Sequence, residues 1–536
     1  MTTYDYIIVG AGSAGCILAA RLTESGRHSV LLLEAGGNDS SPWFRVPVGY
    51  ARSYYDPKVN WMYWTEPEAA LGGRRIYAPR GKVQGGSGSI NAMVFVRGAP
   101  DDFDDWAAAG NAGWGYEDVL PYFKRLESHA DGAGPYHGGD GPIHITPMRD
   151  QAHPVTERFL AACAELQLPF NPDFNGSTIE GAGIYDINTR NGMRSSSSVA
   201  YLRPALHRPN LHVMRNARAR KIVIDADRRA TGVEVQTAAG IAIHSARHEV
   251  ILSAGAVDTP KLLQLSGIGD AALLNAAGVA VKHHLPAVGR NLQDHLCASF
   301  YYRSLVPTLN DELGNWFGQA RQALRYALTR RGPLALSVNQ AGAFLRGAAD
   351  EPRPNIQLYF NPLSYRIPAD PKAGLKPEPY SGFLLAFNAC RPTSRGTVAI
   401  ESPDAIAAPL ISPNYLGTAH DEAEVLQASH LVRKIMGAPA LRAITESEMP
   451  PSAGAETDGE LLAYFRENCG SIYHLCGTAA MGSDPAIAVV DHRLKVHGVD
   501  ALRVVDASIF PNITAGNINA PTMMVAEKGA AAILTG

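Results

Sequence analysis

Long hydrophobic runs and an excess of charge are both missing from this sequence. No apolar stretch approaches about eighteen uninterrupted residues, so no segment is expected to cross a membrane as a helix. Lys and Arg number 48 against 51 Asp and Glu, a net charge of −3, which excludes the basic surface typical of a nucleic-acid binder. No basic stretch followed by an apolar segment precedes Tyr4, so we expect a cytoplasmic protein, with peripheral association at the inner membrane left open.

Cysteine is also scarce. The chain of 536 residues has six cysteines without a pairing pattern, namely Cys16, Cys163, Cys297, Cys390, Cys469 and Cys476. This usage is typical of reduced thiols in the cytoplasm. Cys469, His474 and Cys476 are close in sequence, but the two-residue cysteine spacing and the fourth ligand of a zinc site are absent, so we predict no metal site.

Glycine, in contrast, is abundant, with 52 residues beside 36 prolines. The first cluster, residues 10–15, reads Gly-Ala-Gly-Ser-Ala-Gly between an apolar strand, 7–9, and an apolar helix, 16–22. A second strand, 29–33, ends in Glu34. This order of strand, glycine turn, helix, strand and acid predicts a dinucleotide-binding fold, with the pyrophosphate at the helix N-terminus and the ribose at the acid.

The glycines of this turn have separate predicted roles. Gly10 makes the tight turn, Gly12 lets the backbone approach the pyrophosphate, and Gly15 lets helix and strand pack closely. Residues 11–15 also resemble a hydrolase nucleophile elbow, but that turn follows a strand deep in the sheet and needs an earlier loop for its oxyanion hole. The nearest approach to a second fingerprint, residues 132–137, lacks the final glycine, so a single dinucleotide cofactor is expected to carry the redox chemistry.

Two internal segments share this glycine-rich character. Residues 80–91 form a loop of low side-chain bulk that suits close backbone contact with a large ligand. Residues 255–269 follow the apolar strand 250–252 and predict a helix with Pro260 in its first turn and Gly267 at its C-terminal cap.

The C-terminal region repeats the strand-and-acid pattern. The strand 502–505 ends in Asp506, which is placed to bind ribityl or phosphate-linked hydroxyls. Residues 515–522 then lead into the helix 523–534, for which Asn519 is the predicted cap and Pro521 a first-turn residue.

Together these segments resemble the glucose–methanol–choline (GMC) oxidoreductase family, especially its bacterial alcohol and choline dehydrogenase branch. The resemblance covers residues 4–532. Residues 255–269 fit the family's second signature, residues 81–91 fit the first except at Gln84, and residues 288–295 resemble the stretch that closes the first flavin section.

The resemblance implies an α/β chain, α+β overall, with a Rossmann-like FAD-binding domain and a second, substrate-binding domain built on an antiparallel sheet. The FAD-binding domain would be discontinuous, from residues 1–155, 191–298 and 460–536. The substrate-binding domain would comprise residues 156–190 and 299–459.

The resemblance also implies FAD as cofactor. Ile90 stands where some members attach the flavin through histidine, so the FAD is expected to be non-covalent. The predicted cofactor-binding residues are Gly10, Gly12, Ser13, Ala14, Gly15, Glu34, Ala35, Trp61, Arg80, Val83, Gly85, Gly86, Gly88, Asn91, Ala92, Met93, Val94, Ala219, Ala254, Gly255, Asp506, Ala507, Asn517, Asn519 and Pro521.

For catalysis the family pattern points to His474 as the base that takes the hydroxyl proton and to Asn517 as the group that orients the hydroxyl. We therefore predict oxidation of a small, neutral primary alcohol to an aldehyde, with hydride transfer to flavin N5. The electron acceptor is expected to be oxygen or a quinone or dye, and the protein a monomer or homodimer.

The alternative functions are a non-redox lyase that cleaves cyanohydrins on the same fold, and an NAD-binding sensor or reductase. Residues 475–482 lack the Arg–Cys pair usual after this histidine.

Three further patterns concern the walls of the site. In the strand 356–361, apolar residues alternate with polar ones, so one face would pack into the core and the other would face either the cavity or water. Trp61 and Trp64 are expected to wall the flavin entrance. The basic residues within 215–221 are interpreted as the solvated face of a strand.

Overall fold

Two seven-stranded sheets organise the chain, which the computed structural model describes over residues 3–366 and 374–535. The first sheet has the spatial order Leu211–Met214, Val30–Leu33, Thr3–Val9, Gly240–Leu252, Ala230–Thr237, Arg218–Ile224, with Leu502–Val504 also beside Gly240–Leu252. The second has the order Thr445–Met449, Leu296–Ser304, Gly382–Ala389, Ile356–Asn361, Ala341–Leu345, Gly181–Ile184, with Gly470–Ser471 also beside Leu296–Ser304.

The first sheet is mostly parallel, which gathers the ends of distant segments at one edge. Val30–Leu33, Gly240–Leu252 and Leu502–Val504 each run parallel to a neighbouring strand. Val30–Leu33, Leu502–Val504 and the last three residues of Gly240–Leu252 are buried, which explains why Val30–Leu33 is apolar at every position. The helices Ser13–Thr23 and Asn519–Leu534 pack against each other, joining the two ends of the chain.

The second sheet is antiparallel throughout. Ile356–Asn361 is buried along its whole length, so the interpretation of this strand as facing water is wrong. The strand Leu296–Ser304 crosses the predicted boundary at 298/299 without a break, because its register with Gly382–Ala389 is continuous. Gly470–Ser471, assigned by the prediction to the other domain, pairs with it too.

Further helices, and strands of two to five residues, lie outside the two large sheets. The remaining helices are Tyr50–Ser53, Pro100–Ala108, Tyr116–Leu126, Val155–Glu165, Arg203–Ala205, Gly255–Leu265, Ala271–Ala276, Leu309–Leu313, Trp316–Thr329, Ala419–Met436, Pro439–Arg442 and Asp458–Asn468. The remaining strands are Tyr63–Trp64, Tyr77–Ala78, Glu127–His129, Ile143–Pro147, Asp186–Ile187, Thr189–Arg190, Met193–Arg194, Ile268–Gly269, His283–His284, Tyr365–Arg366, Lys376–Pro377, Thr397–Ala399 and Leu410–Ser412. In the part of the chain that the structure describes, no helix is both long and apolar enough to cross a bilayer.

Two predicted helix ends differ from the structure. The helix Gly255–Leu265 begins at its glycine, so Pro260 lies inside it rather than in the first turn. The C-terminal helix begins at Asn519 itself, which does not cap it; its Oδ1 atom instead accepts a 2.7 Å hydrogen bond from Ser13 Oγ. Gly267 does end its helix as predicted, with φ +85° and an amide that donates to the Gln264 carbonyl.

Candidate active site

A cavity of about 990 Å³ is lined by residues of both sheets. One part is formed by glycine turns and two acids at the edge of the parallel sheet, and we call it the glycine half; it includes Gly10, Gly12, Glu34, Gly86 and Asp506. The other part is walled largely by aromatic rings, and we call it the tyrosine half; it includes Tyr50, Tyr54, Tyr301, Tyr359, Tyr365 and Tyr473.

The glycine half is built by backbones in close contact. Gly10 has φ +102°, and a Cβ there would lie 2.4 Å from the Ser253 carbonyl oxygen. A Cβ on Gly86 would lie 2.7 Å from the Gly12 Cα, so the two glycine loops pack directly on each other. Gly12 differs, because a Cβ there would meet no described atom closer than 3.8 Å, yet Gly12 lines the cavity. The missing side chain at Gly12 therefore leaves room for a ligand rather than for the protein.

Two buried acids stand at the strand ends of this half. Glu34 accepts hydrogen bonds from the amides of Ala11, at 3.0 Å, and Gly36, at 2.8 Å. Asp506 accepts from the Gly255 amide, at 2.8 Å, and the Thr259 hydroxyl, at 2.7 Å. Burial raises the pKa of both carboxyls, and these hydrogen bonds partly oppose the rise.

Most of the predicted cofactor residues line the cavity, but five do not. Gly15 lies behind the first turn, where a Cβ would be 1.9 Å from the Gly10 carbonyl oxygen, and Gly88 packs against Ser13 Oγ. Val83 is buried in a small apolar cluster, Gly85 packs against Ser89, and Pro521 is buried in the first turn of its helix. These five residues shape the wall from behind, and their placement does not support direct ligand contact.

The two predicted catalytic residues meet at the cavity. His474 Nε2 and Asn517 Nδ2 are 3.1 Å apart, and both residues line the cavity. On its other side, His474 Nδ1 lies 2.9 Å from Nδ1 of His295, whose Nε2 lies 2.9 Å from the Cys390 carbonyl oxygen. His295 was not identified from the sequence, although it falls within the family-like stretch 288–295.

This chain of hydrogen bonds fixes the tautomer of each ring. The Cys390 carbonyl can only accept, so Nε2 of His295 carries the hydrogen and its Nδ1 has the lone pair. His474 must then donate from Nδ1 to His295, which leaves Nε2 of His474 with a lone pair towards Asn517 and the cavity. His474 is thus arranged as a proton acceptor.

Electrostatics keep both rings neutral. Burial lowers the pKa of His474 well below its usual value, and the neighbouring His295 and Arg80 lower it further. Burial likewise lowers the pKa of His295 to about 4. A neutral imidazole with an unprotonated Nε2, which here accepts from Asn517 Nδ2, is the form that a general base requires.

The backbone around His474 is held by charged groups. Its amide donates to Asp294 Oδ1 at 2.7 Å, and Asp294 also accepts from the hydroxyls of Ser471 and Tyr415. Arg80 Nη1 donates to the carbonyl of Tyr473 at 2.8 Å. The Nε and Nη2 atoms of Arg80 are buried and find no hydrogen-bond partner among residues 3–366 and 374–535, although Arg80 lines the cavity.

The two tryptophans and part of the basic run 215–221 also line the cavity. Trp61 and the partly exposed Trp64 both line the cavity, in agreement with their predicted position at its wall. Arg218 and Ala219 of the basic run line it too, and the Arg218 guanidinium lies 4.9 Å from the Trp61 ring centroid. Arg215 donates to Gln84, the residue that departs from the family's first signature, so the basic run is not simply a solvated face.

Comparison with known proteins decides the family. The model of the GMC oxidoreductase N-terminal region matches residues 4–297, and that of the C-terminal region matches residues 392–526. The chain belongs to the GMC oxidoreductase family. It is 43% identical over 536 residues to an oxygen-dependent choline dehydrogenase of Photobacterium profundum, with 99% of this chain and 93% of the relative covered. The corresponding enzyme of Rhizobium etli is 42% identical over 531 residues, with 99% and 95% covered.

Solved structures of GMC flavoenzymes have the same fold. Pyridoxine 4-oxidase from Mesorbium loti superposes with a TM-score of 0.88 at 32% identity, covering 98% of each chain. A formate oxidase superposes with a TM-score of 0.92 at 27% identity, covering 100% of this chain and 98% of the oxidase. The chain is an FAD-linked oxidoreductase that acts on CH–OH donors.

The cavity fits this cofactor. Gly12 leaves open space at the N-terminus of the helix Ser13–Thr23, where free amides and the helix dipole suit a pyrophosphate. Glu34 at the end of the adjacent strand suits ribose hydroxyls. The unpartnered guanidinium nitrogens of Arg80, counted over the described residues, offer donors to a polar ligand inside the cavity.

Proposed function

We propose that this chain oxidises a small, neutral primary alcohol to an aldehyde, with His474 as the catalytic base and FAD held non-covalently. The observation that supports this most directly is the hydrogen-bond chain from Cys390 through His295 to His474, which leaves the lone pair of His474 Nε2 at the cavity.

In the proposed reaction the alcohol hydroxyl binds between His474 and Asn517. Nε2 of His474 accepts the hydroxyl proton, and the Asn517 amide, 3.1 Å from the same nitrogen, holds the alcohol oxygen in line. Bound FAD would supply the acceptor for the hydride that leaves the alcohol carbon. The buried Arg80, which bonds to the neighbouring Tyr473 carbonyl, adds positive charge that favours the developing alkoxide.

The proposal of a neutral substrate follows from the acids of the cavity. Among the described residues the lining carboxylates are Glu34, Asp258, Glu467 and Asp506. Glu34 and Asp506 hold backbone amides in the glycine half, Asp258 accepts from the Tyr63 hydroxyl, and Glu467 is exposed. Three of the four therefore already accept hydrogen bonds from protein groups, which leaves the exposed Glu467 as the one lining carboxylate without a partner among the described residues to balance a cation, and we expect neutral alcohols to be better substrates than choline, for which the curated relatives are named.

The proposal that FAD is bound non-covalently rests on Ile90. Its side chain is buried and lines the cavity, and an alkyl group offers no nucleophile to the flavin. Denaturation with acid should therefore release all of the flavin into the supernatant. Flavin that stays with the precipitated chain would contradict this.

The decisive experiment is anaerobic reduction of the bound flavin by a panel of aliphatic and aromatic primary alcohols, with choline included. Bleaching by at least one neutral alcohol is expected. His474→Ala should slow flavin reduction roughly 10²-fold or more, because the proton acceptor is lost. His430→Ala, at an exposed histidine paired with Asp458, is the matched control and should reduce normally. A flavin that stays oxidised across the panel would favour a non-redox lyase instead.

Asn517→Ala should have a smaller effect on the same step. The alanine leaves His474 with its lone pair but removes the amide that positions the hydroxyl, so we expect a loss of roughly tenfold. Asn517→Asp should be worse than alanine, because a carboxylate would favour the protonated form of His474. Equal rates for the wild type and Asn517→Ala would remove Asn517 from the proposed mechanism. Oxygen and an artificial dye, compared in parallel, identify the acceptor.

A further inference from the structure

The helix Trp316–Thr329 presents apolar side chains to solvent. Trp316 is 66% exposed, Phe317 68%, Leu324 61% and Leu328 76%. Along this helix only Gln322 and Tyr326 are buried. Large exposed apolar residues clustered in one place are uncommon on a protein surface without an interaction partner.

The arrangement of these residues is the reverse of a normal surface helix. Gln322 and Tyr326, four residues apart, attach the helix through polar groups: Gln322 Nε2 donates to Glu312, and the Tyr326 hydroxyl donates to the Gly192 carbonyl at 2.9 Å. At 100° per residue the opposite face carries Trp316, Phe317, Ala320, Leu324 and Leu328, which we call the apolar ridge. The apolar side of this amphipathic helix therefore faces away from the protein.

Positive charge surrounds the apolar ridge. Arg321 and Arg325 lie on the same helix, and Arg330 and Arg331 follow it directly; all four are exposed. None of the four forms an ion pair within the described part of the chain, and no Asp or Glu occurs from 313 to 349. The nearest acid in sequence, Glu312, is bound to Gln322 on the buried side of the helix.

The segment that carries the apolar ridge is tied to the cavity at both ends. Before the helix, the Leu309 backbone amide donates to the Pro362 carbonyl at 2.9 Å, and the Asn310 side-chain amide donates to the Ser364 carbonyl at 2.8 Å. Tyr365, the next residue, lines the cavity, and after the helix Val338 lines it as well. The apolar ridge therefore projects from the same region that walls the tyrosine half.

We infer that the apolar ridge inserts into the headgroup region of an anionic lipid bilayer and holds this protein on the membrane surface. A single projecting helix with Trp, Phe and Leu on one face and arginines beside them has the composition of an interfacial membrane helix. The arginines, which form no ion pair within the described chain, select the partner, because they complement acidic headgroups rather than an apolar protein surface. The inference concerns where the protein works and stands independently of the alcohol chemistry proposed above.

Co-sedimentation of the flavin-loaded protein with vesicles tests the inference. Vesicles of phosphatidylglycerol and phosphatidylcholine in equal parts should bind the wild type, and pure phosphatidylcholine should bind it less. The double variant Phe317→Ser/Leu324→Gln should lower the partition coefficient by ~10-fold or more, because apolar area is lost. Arg321→Glu/Arg325→Glu should abolish the preference for anionic lipid. Ile487→Ser removes an apolar side chain that is 75% exposed elsewhere and should bind as the wild type does.

The fluorescence of Trp316 provides a second measurement. Anionic vesicles should shift the emission of the wild type to shorter wavelength, and Trp316→Phe should remove that shift while it preserves binding. Vesicle binding that is unchanged in both double variants would overturn the inference. So would a wild type that ignores vesicles and forms an oligomer which Phe317→Ser/Leu324→Gln dissociates, since the apolar ridge would then be a protein interface. An unchanged flavin spectrum and melting temperature in each variant show that the fold is intact.

Discussion

The two halves of the cavity are built by different means. In the glycine half, backbone meets backbone, as where Gly86 packs on Gly12 and Gly15 packs on Gly10. In the tyrosine half, side chains from the antiparallel sheet and from scattered loops form the wall, and the buried Tyr359 hydroxyl lies near Asn517 without a hydrogen bond of normal geometry among the described residues. Backbone contacts therefore fix the shape of the glycine half for one ligand. In the tyrosine half, single side-chain substitutions can change which ligand is bound.

A glycine substitution should therefore have the largest effect of any single change in the wall. Gly15→Ala would place a Cβ 1.9 Å from the Gly10 carbonyl oxygen, which the backbone cannot relieve without moving the turn. We expect a loss of about 3 kcal/mol or more in the free energy of unfolding, together with loss of FAD. Chemical denaturation and the flavin absorbance of the purified protein provide the measurement.

Gly12→Ala is the matched control within the same motif. Its Cβ would meet no described atom closer than 3.8 Å, so the FAD-free protein should keep its stability. Because the methyl group would occupy ligand space, FAD affinity should fall roughly tenfold, about 1.4 kcal/mol. If Gly12→Ala destabilises the FAD-free protein as much as Gly15→Ala does, the distinction between packing and ligand space at these two glycines is wrong.

The same contrast explains what could be predicted from the sequence. Glycine turns leave a short pattern of fixed spacing, so residues 10–15 and the acids Glu34 and Asp506 could be identified; the acids and most of the turn line the cavity together. The tyrosine half leaves no such pattern, because residues as distant as Tyr54, Tyr359 and Tyr473 are united only by the fold. His295 was missed for a related reason: it contacts His474 across 179 positions of sequence.

Acid should change the free energy of unfolding in opposite directions through the two histidines and through the two acids of the glycine half. The folded-state pKa values of His474 and His295 lie below the ordinary value of 6.5, that of His295 at about 4, so the unfolded chain takes up protons first as the pH falls below 6.5. Between 6.5 and about 4 His295 therefore costs up to about 1.4 kcal/mol per pH unit, and His474 acts in the same direction below pH 6.5. Glu34 and Asp506 have raised pKa values, and their contribution to stability has the opposite sign, since it is lost as the pH rises.

Denaturant unfolding of the FAD-free protein at a series of pH values measures this difference. The wild type should lose stability on acidification below pH 6.5, and His295→Gln/His474→Gln should lose less over the same interval. Groups elsewhere with lowered pKa values, such as His153 and Asp173, destabilise both proteins on acidification, so the difference between the two acid slopes, rather than the slope of the double variant alone, reports the two histidines. An unchanged acid slope would show that the two histidines are not neutral in the folded protein.

The smallest expected effect is at Tyr359, where the tyrosine half is tested directly. Burial raises the pKa of its hydroxyl well above the usual value, so this group remains a neutral donor towards the cavity at any working pH. Tyr359→Phe should raise KM for the preferred alcohol about fivefold, the value of one neutral hydrogen bond near 1 kcal/mol, while FAD content stays constant. Tyr302→Phe removes a hydroxyl that is also buried and unpartnered within the described chain, but in the core of the same sheet, and should leave KM unchanged. Equal effects of the two variants would mean that Tyr359 acts through packing of the sheet, whereas a change in FAD content would show that the tyrosine half also holds the cofactor.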